Sequence, residues 1–472
     1  MRNRWLALVA VALGTFMTYL DNNVVNVALP SIQRELHLSI SGLEWIASAY
    51  ILVFAGLLLV GGRLGDLFGM RGTFFAGLGI FTAASVTAGL AGSQEVLIGA
   101  RALQGVGAAL LTPTALALIS VLFPNPKERG AAIGVWGAVG ALALAIGPFT
   151  GGYLSEHASW GWIFLINAPI GLLTAALAAL TLPAGKRNRK SLDLPGLATS
   201  AAALFALTFA LIEGESRGWS SGVILASFGL AAISAAAFVL VEARSADPMV
   251  DLGFFRMRVF TGGLATIGLW AFGVFGIYFF TAIFLQNVLG FTPTEAGSAF
   301  VPMALVMAVM AILAPRLEAR LGAGVTVALG MALMAGGVGG LATVGEGSGY
   351  TDLLPWFLVF GVGGGLLVPL NGVVLGALPS ANAGIASGML NVSREVFGLL
   401  GITILGAILS NRQSAAAGAP LHRFLEGYQT SLVIAAALVA AGVPIALIAL
   451  RKLRTPVQPE SLPAGAEVLQ PA

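Results

Sequence analysis

Gly61-Gly62-Arg63-Leu64-Gly65-Asp66-Leu67-Phe68-Gly69-Met70-Arg71 decides how this chain is read. It sets glycines and charges between two apolar stretches, each long enough to cross a bilayer. Glycine lets two helix ends approach closely, an aspartate can meet a helix N-terminus or a basic partner, and arginines hold such a loop at the cytoplasmic surface. On either side, apolar runs of about 18 to 25 residues recur, the length a helix needs to span about 30 Å of hydrocarbon. About fourteen are found, near 5–29, 43–62, 73–92, 96–123, 131–154, 161–182, 196–213, 221–241, 260–285, 294–314, 323–344, 352–378, 384–410 and 430–450.

Composition points the same way. With 57% hydrophobic residues, 10% charged residues and a mean hydropathy of +0.92, the apolar surface cannot be hidden in one soluble core. The expectation is an all-α polytopic membrane protein. There is no cysteine, hence no disulfide or thiolate site, and the three histidines are scattered, so no metal site and no cofactor are expected. A net charge of +3 suits basic residues at a membrane surface better than nucleic-acid binding. Met1-Arg2-Asn3-Arg4 reads as the start of an uncleaved first helix, because the run behind it continues to Asp21-Asn22-Asn23 without a cleavage site.

An even number of helices places both termini on one side. Eighteen of the 24 Lys and Arg fall on that side and four opposite, which predicts cytoplasmic termini. The chain also repeats itself. Gly105-Val106-Gly107-Ala108-Ala109-Leu110-Leu111-Thr112-Pro113 returns as Gly361-Val362-Gly363-Gly364-Gly365-Leu366-Leu367-Val368-Pro369, and Gly130, Gly134, Gly147 and Gly152 return as Gly384, Gly388, Gly401 and Gly406. Same-direction copies imply two parallel six-helix bundles related by an axis along the membrane normal, with two helices inserted between them. The expected division is 1–182 for the first bundle, 183–258 for the insertion, 259–454 for the second bundle and 455–472 for a disordered tail. The insertion is expected to pack peripherally and to bring no buried charge.

The loop at 61–71 resembles the signature between helices 2 and 3 of the major facilitator superfamily, a large family of secondary transporters. Tyr19-Leu20-Asp21-Asn22-Asn23-Val24-Val25-Asn26 resembles the first-helix pattern of its fourteen-helix drug:proton antiporters. Gly134, Ala143, Gly147-Pro148 and Gly151-Gly152 resemble the superfamily's exporter motif, with Ala143 replacing a Gly. Arg101 ahead of Gln104-Gly105-Val106-Gly107 and Asn391-Val392-Ser393-Arg394-Glu395 resemble further segments of the family, Glu395 standing for a Gln. Trp160 to Pro169 and Gln286 to Gly290 also match it. The resemblance implies a major facilitator fold and proton-coupled efflux of amphipathic, cationic or neutral drug-like compounds, energised by the proton gradient. Export of one endogenous metabolite or antibiotic, or proton-coupled uptake, remains the alternative reading. An enzyme is not expected, since no nucleophile–base pair or phosphate loop is found.

Ionisable residues within spans are costly in lipid and are functional candidates. Asp21, Arg101 and Glu395 are the candidates for proton coupling. Asp21 and Arg101 should reach similar depth and could interact, whereas Arg394 and Glu395 point about 100° apart on a helix and need not pair. Asp21, Asn22, Asn26, Trp136, Tyr278 and Asn391 are the candidates for substrate binding. Gly61, Arg63, Gly65, Asp66, Gly69, Arg71, Gly147, Pro148, Gly151, Gly152 and Arg394 are the candidates for gating. Glu44, at a helix end, is expected to be solvated. The expected partners are a small amphipathic substrate, protons and the lipid bilayer, with the protein a monomer in a bacterial cytoplasmic membrane.

Overall fold

The computed structural model describes residues 3–183, 193–245, 248, 250, 252–345, 347–377, 383–415 and 420–451. The tail from 455, the basic run 186–190 and the side chains of Arg63 and Asp66 lie outside the described residues. The first half comprises α1 (Asn3–Leu36), α2 (Ile40–Phe68), α3 (Met70–Gly89), α4 (Gln94–Leu122), α5 (Pro126–His157), α6 (Trp162–Leu165) and α7 (Asn167–Thr181). An inserted pair follows, α8 (Leu194–Arg217) and α9 (Gly222–Arg244). The second half comprises α10 (Arg258–Asn287), α11 (Pro293–Ala299), α12 (Val301–Leu321), α13 (Ala323–Leu341), α14 (Tyr350–Gly365), α15 (Val368–Gly376), α16 (Ala383–Ala415) and α17 (Pro420–Ala449).

Among the described residues, thirteen spans are long and apolar enough to cross a membrane, and α5 adds a fourteenth with its 32 residues. Three expected spans are broken, into α6 and α7, α11 and α12, and α14 and α15. Each break lies just ahead of a proline, Pro169, Pro302 and Pro369, and proline fits a helix start but cannot continue a helix behind it. The segment at 61–71 is also more helical than a loop. The second helix runs on to Phe68, and Gly69 alone makes the turn at φ 91°, a left-handed conformation that side chains other than glycine rarely adopt. Gly61 and Gly65, four apart on one face, instead bring α2 against α4: a Cβ on Gly61 would overlap the Ala109 carbonyl, and one on Gly65 would stand 3.0 Å from Thr114 Cγ2.

The internal repeat becomes a repeat of packing. In the first half Gly105 of α4 abuts the Tyr50 carbonyl of α2, and Gly107 abuts Gly77 of α3, where an added Cβ would come within 2.8 Å of the Gly77 oxygen. In the second half Gly361 of α14 abuts the Met303 carbonyl of α12 and Gly363 abuts Gly330 of α13, with Cβ distances of 2.5 Å in both cases. Gly147 on α5 meets α1 at Asn23, as Gly401 on α16 meets α10 at Phe272. Apolar helices gain little from hydrophobicity inside lipid, so close backbone approach through small residues supplies the packing.

The halves meet at the end opposite the termini. Gln286 Nε2 donates to the Val27 carbonyl at 2.7 Å, and the Thr294 N–H donates to Glu156 Oε2 at 2.9 Å. Between them, α5 and α11 touch backbone to backbone: Gly152 lies on the Pro293 carbonyl and Gly297 on the Pro148 carbonyl. Glu44 is a correction to the expected solvated carboxylate, since it is only 2% exposed. Its carboxylate sits in the notch that Gly406 leaves on α16, so it belongs to the seam between the halves.

The inserted pair lies on the outside of the bundle, and it departs from expectation in holding a buried charge. The first of its helices, α8, packs against both α2 and α16, one from each half, while α9 lies against α8. Trp45 Nε1 donates to Glu213 Oε1 at 3.0 Å and the indole faces Phe205 and Phe209, so the insertion is fastened to the seam. The insertion also holds a buried carboxylate, Glu242, which accepts the Val250 N–H at 3.0 Å; Gly196 leaves room for it.

Gly152→Val should force α5 and α11 apart. Because the chain has no cysteine, Glu156→Cys with Thr294→Cys reports the seam directly: disulfide yield should be high in that pair and fall several-fold when Gly152→Val is added. A second outcome concerns pH. Hydrogen bonding from Thr294 holds the Glu156 carboxyl below its usual range, so this tie is present above that range and is lost as pH falls through the depressed value. Glu156→Gln should therefore lower thermal stability in detergent at pH 7, and its deficit relative to the parent should shrink as the medium is acidified below the usual carboxylate range.

Candidate functional site

Asp21 lies in the middle of α1 and is fully buried. One carboxylate oxygen, Oδ2, pairs with Arg101 Nη1 of α4. The other, Oδ1, accepts from Gln104 Nε2 at 2.8 Å and from Asn167 Nδ2 of α7 at 3.0 Å. Gln104 Nε2 also reaches Ser85 Oγ of α3 at 2.7 Å, and Arg101 Nε donates to the Ile46 carbonyl of α2 at 3.1 Å. Five crossings of the first half are thus tied to one carboxylate. The guanidinium lies over the Tyr50 ring at 4.5 Å and near that of Phe164 at 5.7 Å, a cation–π environment worth roughly 0.5–2 kcal/mol.

A second ion pair stands on α16. The pairing that the sequence left open is made: Arg394 Nη2 and Nε both donate to Glu395 Oε1, at 2.7 and 3.0 Å. The long guanidinium stem can fold back over one helix position, which the Cβ directions alone do not reveal. Arg394 Nη2 also reaches Tyr19 Oη of α1 at 3.2 Å and lies over that ring at 5.4 Å, so this pair bridges the halves.

Between the two pairs lies a cavity of about 70 Å³. Pockets that take drug-sized ligands run to roughly 300–1,000 Å³, so such a compound enters only when the halves part. Asn22, Asn26, Arg101 and Tyr19 line it from the first half. Trp270, Phe275, Tyr278, Phe360, Arg394 and Glu395 line it from the second. Of the expected substrate residues, Asn22, Asn26 and Tyr278 face this space. Asp21 does not: it stands behind Arg101. Trp136 is also outside the lining, its indole donating to Thr15 Oγ1 at 2.7 Å, and Asn391 is half-buried elsewhere on α16.

The gating candidates are dispersed. Gly147, Pro148, Gly151 and Gly152 form the tight face of α5 against α1 and α11. Arg71 Nη2 donates to the Ala179 carbonyl at 3.1 Å, holding the α2–α3 turn against the end of α7. Sequence reasoning missed Ser85 and Trp270, and quoted Asn167 without a role. Single polar or aromatic residues in long apolar runs carry no spacing that separates a site from packing, although a buried Asn in a membrane helix is itself a signal for a polar partner.

A family model described as Major Facilitator Superfamily matches residues 11–402. The chain belongs to the major facilitator superfamily. It is 36% identical over 411 residues to the tetracenomycin C resistance and export protein of Streptomyces glaucescens, covering 86% of this chain and 76% of that one. It is 36% identical over 426 residues to the multidrug resistance protein Stp of Mycobacterium tuberculosis, covering 89% and 79%. Among solved structures, the inward-facing, unoccupied form of a bacterial homologue of the human lysosomal transporter Spinster superposes with a TM-score of 0.67 at 18% identity, covering 95% and 97% of the two chains. The protein is accordingly a multi-pass membrane protein of a transporter family.

Arg101→Leu should leave Asp21 buried and unpaired. Removing one partner of a buried pair costs about 3–5 kcal/mol, to be seen as a lowered unfolding midpoint in detergent. Asp21→Leu combined with Arg101→Leu should recover most of that loss.

Proposed function

We propose that the protein exports an amphipathic, drug-like compound across the bacterial cytoplasmic membrane in exchange for protons, as a monomer with both termini inside. The observation that carries the reading is Asp21. It is a carboxylate sealed inside the first half, paired with an arginine that forms the cavity wall. A group so placed couples protonation to the shape of the cavity without touching the cargo. When Asp21 is ionised, Arg101 is held back by it and the network of five crossings is closed. When Asp21 is protonated, the pair breaks and the guanidinium is free to move into the cavity, where it displaces cargo.

The seam supports a direction. Closure at the end opposite the termini corresponds to a cavity sealed from the outside, with Asp21 ionised and the cavity ready to load from within. Residues 1–182 and 259–454 are the bodies that rock, and 183–258 carry the pair that rides on their seam. The exporter-type glycines of α5 and the resistance and export proteins among the relatives support efflux and membership of the fourteen-helix drug:proton antiporters. Export of a single endogenous antibiotic is favoured by one finding, the name of the Streptomyces glaucescens relative.

Asp21→Asn is nearly isosteric and should still fold. In proteoliposomes it should lose at least tenfold in efflux driven by a pH gradient while retaining substrate binding. Unaltered pH-driven flux would remove Asp21 from the coupling role.

A further inference from the structure

The inserted helix α8 does not close completely on the second half. Between it and the neighbouring pair α16 and α17 runs a groove of about 460 Å³, several times the central cavity and within the range of pockets that hold small ligands. Ile404, Ala407, Ile408 and Asn411 recur at helical spacing, so one face of α16 forms its floor. Leu211 of α8 and Thr430 with Ile434 of α17 form its sides. At 1.5 Å per residue the floor runs about 10 Å along α16.

The groove has an apolar body and one polar end. That end is made by Asn411 and Arg412, close to the C-terminus of α16, and by Trp219 in the turn between α8 and α9. Both α8 and α16 end on the side opposite the termini, so this mouth lies at that surface of the membrane, where tryptophan is favoured. The indole has a built seat: it lies against Gly214, where an added Cβ would come within 2.4 Å of Trp219 Cζ3. Arg217 is matched by Glu213 at 3.0 Å, whereas among the described residues Arg412 meets no carboxylate at ion-pair distance. Glu426, one turn before Thr430 on α17, is exposed and lies outside the lining. An uncompensated permanent cation and an amide thus stand at the head of an apolar slot.

We propose that this groove binds one anionic phospholipid of the leaflet opposite the termini. Arg412 and Asn411 donate to its phosphodiester, Trp219 flanks the headgroup, and one acyl chain lies along Ile404, Ala407 and Ile408. A free anion gains nothing from the apolar floor, and a zwitterionic headgroup brings a cation of its own to the side of Arg412. Bound there, the lipid fills the gap between α8 and the second half, as the Trp45–Glu213 hydrogen bond joins α8 to the first.

Native mass spectrometry of the full chain reads the site, with detergent micelles carrying equal amounts of phosphatidylglycerol and phosphatidylcholine of identical chains. One phosphatidylglycerol should be retained about fivefold over phosphatidylcholine, the worth of one arginine beside an anionic headgroup. Arg412→Gln should abolish that preference, while Arg34→Gln, which removes an exposed arginine at the same surface, should keep it. Ala407→Phe fills the floor and should cut retention of both lipids several-fold. Excess glycerol phosphate should displace neither. Equal retention of the two lipids by the parent would overturn the proposal, as would a preference that survives Arg412→Gln or is lost equally in Arg34→Gln. Retention indifferent to Ala407→Phe, or displacement by glycerol phosphate, would overturn it too, the last in favour of a site for free anions.

Discussion

The buried pair of Asp21 and Arg101 is the interaction on which the first half depends. A carboxylate in an apolar helix bundle is costly unless charge and hydrogen bonds compensate it, and here Arg101, Gln104 and Asn167 supply both. The compensation is drawn from separate helices, so the carboxylate organises the bundle as much as the bundle shelters it. Removing the charge from that carboxylate would take away the reason for the other helices to converge on it.

The two halves repeat the same glycine contacts but use them for different purposes. Gly105 and Gly107 pack α4 as Gly361 and Gly363 pack α14, which keeps the architecture twofold. Chemistry then breaks the symmetry. Position Arg101 in the first copy has Phe357 at the corresponding offset in the second, and the second half faces the cavity with rings. One half thus carries the buried ionic network and the other an aromatic wall. Arg394, reaching Tyr19 across the cavity, joins the two. A movement of one half against the other must break or redirect that contact.

At the seam opposite the termini the contacts are of a kind that either fit fully or not at all. Backbone lies on backbone at Gly152 and Gly297, where a single methyl group would collide, and Glu44 fills the notch at Gly406. Close-packed interfaces of this sort do not stretch continuously. The inserted helix α8 lies along this seam and is held there by Trp45 and Glu213. It lines no part of the central cavity.

The membrane class, the approximate spans, the parallel repeat and the placing of Asp21, Arg101 and Glu395 inside spans were all legible in the sequence. Apolar length, glycine periodicity and the rarity of charge inside a span are properties of the chain itself, fixed by hydrocarbon thickness and by the cost of desolvating an ion. Tertiary structure alone decided who partners whom. Ser85, Asn167 and Trp270 are isolated residues in apolar runs, and only the assembled helices bring the first two to one carboxylate and set the third on the cavity wall. The folding back of Arg394 onto Glu395, the burial of Glu44 against a glycine more than three hundred residues away, and the withdrawal of Asp21 behind Arg101 depend on side-chain reach and on helix faces meeting in space. Helical spacing along the sequence constrains a residue's own face; which other face it meets is settled by packing all the helices together.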